Sequence, residues 1–209
     1  MTQKLTFFLA RGTISVAPHI VLEELGLPYE PRWIDLRAGA QRGASYLEVN
    51  PKGRVPALST PQGVLTETHA ILVWLASTHP DAGLLPADPW ERARIDELAL
   101  YLAATMHVAH AHFARGGRWA DDADAVAAMK AKAPALMAEC CAVIEARLND
   151  HEGPWATASG YTIADPYLYA VCRWLKGDGV AIADYPALAA HHAAMAEREA
   201  VKTVEARHA

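Results

Sequence analysis

Several features that would point to other classes of protein are missing from this sequence. Only three of its 209 residues are cysteine, Cys140, Cys141 and Cys172, and no C-x-x-C motif occurs, which argues against dithiol chemistry. The neighbours Cys140 and Cys141 would point about 100° apart on a helix, which disfavours a disulfide bond between them. We therefore expect a reducing, cytoplasmic location.

Charge and hydropathy argue against nucleic-acid-binding, membrane and secreted proteins. The formal net charge is −5, so no basic excess indicates a nucleic acid or an anionic membrane surface as partner. No apolar run approaches the ~20 residues of a transmembrane helix, and the apolar stretch near the N-terminus is too short for a signal peptide. The length of 209 residues allows one large or two small globular domains.

The first part of the chain alternates strand and helix patterns. Apolar runs and their spacing predict, in chain order, a strand at 4–9, a helix from Ser15 to a stop at Gly26, a strand at 29–36, a helical turn at 45–49, a strand at 54–58 in a hairpin with 64–65, and a helix with Thr68 as its N-cap. Alternating helices and strands followed by a hairpin predict an α/β domain over residues 1–79.

The second part of the chain predicts helices alone. Residues 80–90 contain three prolines and are expected to form a linker. Helical spacing then predicts helices over 90–113, over 123–148 and from Thr162 onward. Asp165 stands three residues after Thr162, as in a capping box. We expect an all-helical domain over 91–209, with the pair His191 and His192 on its surface.

The stretch from Asn50 to Leu75 combines features that suit a small peptide ligand. If the bond between Val55 and Pro56 is cis, the chain turns sharply and the N–H and C=O of Val55 face outward; a trans proline at a sheet edge is the alternative. Thr68 at a helix N-terminus would offer N–H groups to a carboxylate, and Glu67 could hold an ammonium group. The stretch thus provides sites for an amine, a carboxylate and an extended backbone.

These motifs resemble the cytosolic glutathione transferases, and most closely their bacterial beta-like class. The shared patterns are Ser-x-Ala-x-His-Ile at 15–20, Asn-Pro-Lys-Gly-x-Val-Pro-Ala-Leu at 50–58 and Phe/Tyr-Thr-Ile-Ala-Asp at 161–165. The resemblance implies a thioredoxin-like N-terminal domain, an all-helical C-terminal domain, glutathione as co-substrate and a homodimer.

The resemblance also assigns roles to single residues. Val55 and Pro56 would meet the cysteinyl part of glutathione, and Glu67 and Thr68 would hold its γ-glutamyl part. From their place near Pro56, Lys52 and Arg54 could meet the glycyl carboxylate, although a solvated turn lysine is the simpler interpretation.

In this family a Ser, Tyr or Cys that follows the first strand contacts the glutathione sulfur. Ser15 occupies that place, where a hydroxyl beside a helix N-terminus would stabilise the thiolate. Thr13 is the second candidate, and a plain N-cap is the alternative role of Ser15. The beta-like class has a cysteine directly before this serine, whereas this chain has Ile14, which excludes mixed-disulfide chemistry there.

The candidates for a second-substrate pocket lie in the helix around His107. His107 and His110 are three residues apart and share a helix face, whereas His112 points away. Arg115 could attract an anionic electrophile and Trp119 could stack on an aromatic one; a solvated helix end with a packed tryptophan is equally compatible with the sequence. No further ligand accompanies the histidines, so no metal site is expected.

The residues and the resemblance together predict a cytoplasmic glutathione transferase that acts in detoxification. It would add the glutathione thiolate to small, largely hydrophobic electrophiles bound in a cleft between the domains. The alternatives are a glutathione-dependent isomerase, dehalogenase or peroxidase, and a non-catalytic protein that binds glutathione or hydrophobic ligands. Neither a nucleic acid nor a membrane is expected as partner.

Overall fold

The computed structural model of the protein describes residues 5–209. By their internal contacts these residues form two compact units. The first unit runs to Leu85 and also includes Ala196–Ala209, and the second is Pro86–Met195. The domain boundaries expected from the sequence, at 79 and 91, stay a prediction.

The first unit is built on a four-stranded mixed sheet. Its strands are β1 (Leu5–Leu9), β2 (Tyr29–Trp33), β3 (Ala57–Thr60) and β4 (Gly63–Thr66), in the spatial order β2-β1-β3-β4. β1 and β2 are parallel, as a strand–helix–strand connection requires, and the other two pairs are antiparallel. The hairpin expected from the sequence is therefore correct, whereas the second strand ends at Trp33 and not at residue 36. Lys4, where the first strand was expected to begin, lies outside the described residues.

The described residues of the first unit, 5–85 and 196–209, contain four α-helices. They are α1 (Val16–Glu24), α2 (Ala44–Leu47), α3 (Thr68–Thr78) and α9 (Glu199–His208). Helix α1 stops at the predicted point, since Gly26 has φ +58° and follows the C-cap. Thr68 is the first residue of α3 and not its N-cap, which is Glu67. The helix was predicted correctly, but its N-cap lies one residue before the predicted position.

The second unit consists of helices. They are α4 (Pro89–Tyr101), α5 (His107–Arg115), α6 (Ala123–Asn149), α7 (Ala164–Cys172) and α8 (Pro186–Ala196, whose last residue belongs to the first unit). A π-helix, Leu102–Met106, joins α4 to α5, so the single helix expected over 90–113 is three consecutive pieces. Asp122 caps α6 by accepting a hydrogen bond from the Ala125 N–H at 2.7 Å.

Asp165 organises the interior of the second unit. Its buried carboxylate accepts hydrogen bonds from the N–H groups of Thr162 and Ala156, both at 2.7 Å. The bond from the Thr162 N–H is the one that the acidic residue of the predicted capping box should make. The same carboxylate lies 3.2 Å from Nε2 of His191, which is fully buried. The expectation that His191 lies on the surface is therefore wrong.

No helix within residues 5–209 is long and apolar enough to cross a bilayer.

Candidate functional site

The loop that precedes β3 is fixed by side chains on both sides. The carbonyl oxygen of Arg54 accepts hydrogen bonds from the Tyr46 hydroxyl and from Asn50 Nδ2, each at 2.7 Å. Burial raises the pKa of Tyr46 to about 12, so its hydroxyl keeps the proton that it donates. Asn50 itself is 1% exposed and also accepts from the Lys52 N–H at 3.2 Å. The backbone directly before Val55 is therefore held in one position.

The bond between Val55 and Pro56 is cis. Of the two isomers that the sequence left open, the structure thus has the one that turns the chain. Outside the helices and strands, the backbone hydrogen bonds among residues 5–209 include none from the Val55 N–H or to the Val55 carbonyl. Both groups are available to pair with an extended peptide, as strand addition does.

Glu67 has an unusual backbone conformation where β4 passes into α3. Its φ is +70° and its ψ is 125°, and it is the only non-glycine residue with positive φ within residues 5–209. A side chain in this region strains the backbone, and such strain is concentrated at functional sites. Glu67 makes no side-chain hydrogen bond to the first turn of α3, so its own carboxylate does not cap that helix N-terminus.

Lys52 lies against the same corner. Its Nζ donates to Thr66 Oγ1 at 2.6 Å and forms an ion pair with the Glu67 carboxylate. The structure therefore brings together Lys52, Glu67 and the buried Thr68, three of the candidates expected to bind glutathione.

The two candidate hydroxyl groups touch each other in the loop between β1 and α1. Thr13 Oγ1 lies 2.8 Å from Ser15 Oγ and 2.8 Å from the carbonyl oxygen of Ala10. A hydroxyl has one proton, so Thr13 donates to one of these partners at a time. When it donates to Ser15, the proton of Ser15 is released for another acceptor, such as a thiolate. Ser15 is fully buried, Thr13 is half-buried, and Ile14 between them is 5% exposed.

The second unit brings together three of the four residues expected at a second-substrate pocket. The ring centroids of His107 and His110 are 6.3 Å apart, and Arg115 Nη2 lies 3.5 Å from His107 Nε2. Trp119 instead contacts His112, with ring centroids 4.6 Å apart, and is 49% exposed. The predicted divergence of His110 and His112 agrees with these contacts.

Sequence reasoning missed two residues of this cluster. Trp174 stacks on His110 with ring centroids 4.2 Å apart, and Asp178 bonds to Nδ1 of the same ring. The sequence offers one signal for Asp178, which stands between Gly177 and Gly179 directly after a helical pattern. No local spacing connects it with His110.

The protein's own thiols are not placed to act as nucleophiles. Cys140, Cys141 and Cys172 are free and buried. Burial, followed by the neighbouring Cys140, raises the pKa of Cys141 to about 12, and burial likewise raises the pKa of Cys172. A reactive thiolate would therefore have to come from a bound ligand.

The fold and the site define a class of protein. A mixed thioredoxin-like sheet carries a cis-proline loop and a helix N-terminus suited to a small thiol peptide, and a helical unit follows it in the chain. Residues 15–78 match the family described as glutathione S-transferase, N-terminal domain, and residues 109–207 match its C-terminal domain. The chain belongs to the glutathione S-transferase family.

Individual relatives agree with this assignment. Glutathione S-transferase GstA from Escherichia coli O157:H7 is 32% identical, over 93% of this chain and 94% of its own. The crystal structure of a glutathione transferase homologue from Sulfitobacter with bound glutathione has a TM-score of 0.93 and 43% identity, covering 98% of both chains. A sphingomonad glutathione S-transferase complexed with glutathione has a TM-score of 0.82 and 32% identity, covering 97% of this chain and 98% of its own.

Three predictions from the sequence are confirmed by these findings. They are the glutathione transferase family, the thioredoxin-like plus all-helical fold class, and glutathione as co-substrate. The roles given to single residues are not tested by them and remain proposals.

Proposed function

We propose that this protein conjugates glutathione to small electrophiles, with the ligand held along Val55, Glu67 and Thr68. The observation that carries the proposal is the corner around Glu67. There the cis Val55–Pro56 turn, a glutamate with a strained backbone and the N-terminus of α3 occur together. Glu67 would hold the ammonium group, Thr68 and the helix N-terminus the γ-glutamyl carboxylate, and the Val55 backbone the cysteinyl residue. Lys52, now paired with Glu67, would turn to the glycyl carboxylate.

Thiol activation is assigned to the coupled hydroxyls of Thr13 and Ser15. A free thiol has a pKa of about 8.5, so only a few per cent is thiolate at neutral pH. A hydroxyl that donates to the sulfur stabilises the anion and raises that fraction. Ser15 is supported by its place at the N-terminus of α1, and Thr13 by its greater exposure.

Two single variants test this assignment. Ser15→Ala and Thr13→Val are each expected to lower kcat/KM with chlorodinitrobenzene by roughly 10- to 100-fold, because the loss of one charge-assisted hydrogen bond costs ~1.5–3 kcal/mol. Thr6→Val, in β1 away from the hydroxyl pair, is the matched control. Full activity in both variants would contradict a role for these hydroxyls and would mean that another group activates the thiol.

A glutathione-dependent isomerase is the second candidate. Maleylacetoacetate isomerase from Rhizobium meliloti is 32% identical, over 78% of this chain and 79% of its own. The observation that favours this candidate is the grouping of Arg115 with His107, because such side chains suit the carboxylates of a dicarboxylic substrate. Glutathione-dependent cis–trans isomerisation of maleylacetoacetate, followed by its absorbance, distinguishes the two functions.

We also propose a homodimer in the cytoplasm. Support for self-association comes from large apolar side chains on the outer faces of α4 and α6, since Leu100 is 61% exposed and Val143 is 52% exposed. Sedimentation velocity over a hundredfold concentration range is expected to give a species of twice the chain mass. A single species of the chain mass at every concentration would contradict the dimer. Fractionation of the source cells tests the location.

A further inference from the structure

The second unit contains a cavity that the proposed function does not use. Its volume is about 190 Å³, and it lies between the start of α4, the end of α6 and the loop that follows α6. One water takes up ~30 Å³ of the liquid, so the cavity has room for a small organic molecule. Six of its lining residues carry a charge, an imidazole or an indole: Trp90, Glu91, Arg94, Arg147, Asp150 and His151.

Arg147 is held in place by two of its three side-chain nitrogens. Nη1 donates to the Glu97 carboxylate at 2.9 Å, and Nη2 donates to the carbonyl oxygen of Arg94 at 2.6 Å. The third nitrogen, Nε, is buried, and its N–H has no hydrogen-bond partner among residues 5–209. Because the guanidinium is planar and always protonated, the other two bonds fix the direction of this N–H. It requires an acceptor that the described chain does not supply.

A second buried nitrogen on the cavity lining complements the first. Nδ1 of His151 lies 3.4 Å from the carbonyl oxygen of Glu152. A carbonyl oxygen only accepts, so Nδ1 carries the proton of the neutral ring and Nε2 keeps its lone pair. In the part of the chain that the structure describes, Nε2 is buried and has no hydrogen-bond partner. Since buried polar groups are nearly always hydrogen-bonded, the two nitrogens indicate a molecule that offers both an acceptor and a donor.

The charges around the cavity favour an uncharged molecule. Arg94 and Arg147 both pair with Glu97, at 2.5 and 2.9 Å. Glu91 and Asp150 also line the cavity, so carboxylates outnumber guanidinium groups here. An anion would meet the carboxylates, and a cation has no acceptor to offer the Arg147 N–H. An uncharged group with one acceptor and one donor suits both nitrogens, and a carboxamide is the simplest group of this kind.

Trp90 provides a flat apolar face at the same cavity. It lies in the first turn of α4 and is 69% exposed. An indole face of this kind stacks on planar rings. The loop on the other side is already fixed, because the Ala156 N–H bonds to Asp165 at 2.7 Å and the Ser159 hydroxyl donates to the Glu91 carboxylate. The cavity is therefore formed before a ligand arrives, which lowers the cost of binding.

We propose that this cavity binds an uncharged aromatic molecule that carries a carboxamide or an equivalent edge of one acceptor and one donor. The acceptor takes the N–H of Arg147 Nε, the donor bonds to Nε2 of His151, and the ring lies against Trp90. All of these residues belong to the second unit, and none has a role in the proposed conjugation. The inference therefore goes beyond the proposed function and does not rest on it.

Benzamide is a small probe with both features, and benzoate is its matched comparison. Nuclear magnetic resonance titration of the ¹⁵N-labelled protein with benzamide is expected to shift the indole N–H of Trp90 with a Kd of about 1–10 mM, the range of so small a ligand. Benzoate offers two acceptors and no donor to His151, so it should bind at least ~10-fold more weakly. The indole N–H of Trp33, which is 41% exposed in the first unit, should move with neither probe.

Two variants locate the bound probe. Arg147→Lys keeps the charge and removes the N–H of Nε, so the Kd of benzamide should rise roughly tenfold or more. Arg92→Lys, exposed on the same side of the chain in α4, is the matched control and should leave this Kd unchanged. Trp90→Ala replaces a side chain that is mostly in water, so it should fold normally and raise the Kd by about three- to tenfold. The ring resonances of His151 report binding in these variants.

Three results would overturn the inference. The first is no saturable shift with benzamide up to about 20 mM, above the range expected for so small a ligand, in which case the cavity holds only water. The second is equal affinity for benzamide and benzoate, which would contradict the edge assigned to the ligand. The third is an unchanged Kd in both Arg147→Lys and Trp90→Ala, which would place the probe elsewhere. If Arg147→Lys does not fold, Trp90→Ala alone decides this third point.

Discussion

His19 shows what complete burial does to one titratable side chain. Its Nε2 lies 2.6 Å from the hydroxyl of Tyr29, and its Nδ1 lies 2.9 Å from Nε2 of His208. Arg207 donates to the same Tyr29 hydroxyl at 2.7 Å and to the Glu23 carboxylate at 2.6 Å. Burial first, and then the charge of Arg207, lower the pKa of His19 to about 4. The folded chain therefore keeps this imidazole neutral.

The stability of the protein should consequently depend on pH below neutrality. Unfolded His19 takes up a proton near pH 6.5, whereas the folded form does so only near pH 4. The unfolded state binds more protons in this window, so a contribution of about 3 kcal/mol is present above pH 6.5 and is lost as the pH falls toward 4. Urea unfolding at a series of pH values measures this slope.

His19→Gln is the matched control, because it removes the titration and keeps a polar side chain. The variant should be less stable at pH 7, and its free energy of unfolding should vary less between pH 6.5 and 4. The same pH slope in the variant and the wild type would show that His19 is not its source.

At the scale of single elements, the loop before β3 depends on a glycine. Gly53 has φ +58°, and a Cβ there would stand 2.8 Å from the backbone oxygen of Gln41. Gly26 has the same φ, but a Cβ there would meet no atom within 4 Å. The two positions therefore share the backbone strain and differ in the clash.

Gly53→Ala is expected to cost about 2–4 kcal/mol of stability and to raise KM for glutathione, because the loop that presents Val55 must shift. Gly26→Ala should cost about 1 kcal/mol and leave KM unchanged. Thermal unfolding and glutathione saturation curves of both variants check this difference. Equal effects of the two substitutions would mean that the close approach to Gln41 has no influence.

The turn that leads into α7 depends on Asp165. Asp165→Ala would leave the N–H groups of Ala156 and Thr162 buried without their acceptor, so a loss of roughly 3–5 kcal/mol is expected. Asp122→Ala removes one exposed N-cap bond from α6 and should cost about 1 kcal/mol. Denaturant midpoints of the two variants give the comparison, and similar midpoints would contradict the organising role of Asp165.

At the scale of the whole molecule, the distance in sequence between two interacting residues decides whether their interaction could be predicted. The turn at Val55 and Pro56, Glu67 and Thr68 lie within one short stretch, so turn residues and helix spacing are enough to indicate them, whereas the cis isomer was left open. Nδ1 of His110 meets Asp178 across 68 positions, and His19 meets His208 across 189. Such pairs depend on packing between distant elements, which no local pattern contains.

Contacts that a local pattern does not contain also explain why the predictions for His191 and for residues 90–113 were wrong. His191 was expected on the surface because adjacent polar residues near a chain end usually are, but its partner Asp165 is 26 positions away in the core. Likewise, the helical pattern of 90–113 gives no sign that its middle adopts a π-helix. Where a local sequence pattern and long-range packing favour different conformations, the long-range packing decides which conformation is adopted.

The mechanism proposed for Ser15 and Thr13 requires the protein to lower the thiol pKa of bound glutathione. An ultraviolet difference titration of the protein–glutathione complex against pH follows the thiolate absorbance directly. The pKa of the bound thiol is expected to lie clearly below the ~8.5 of a free thiol and to return toward that value in Ser15→Ala or Thr13→Val. Bound glutathione with an unshifted thiol pKa in the wild type would contradict this mechanism, and the site would then bind glutathione without activating it.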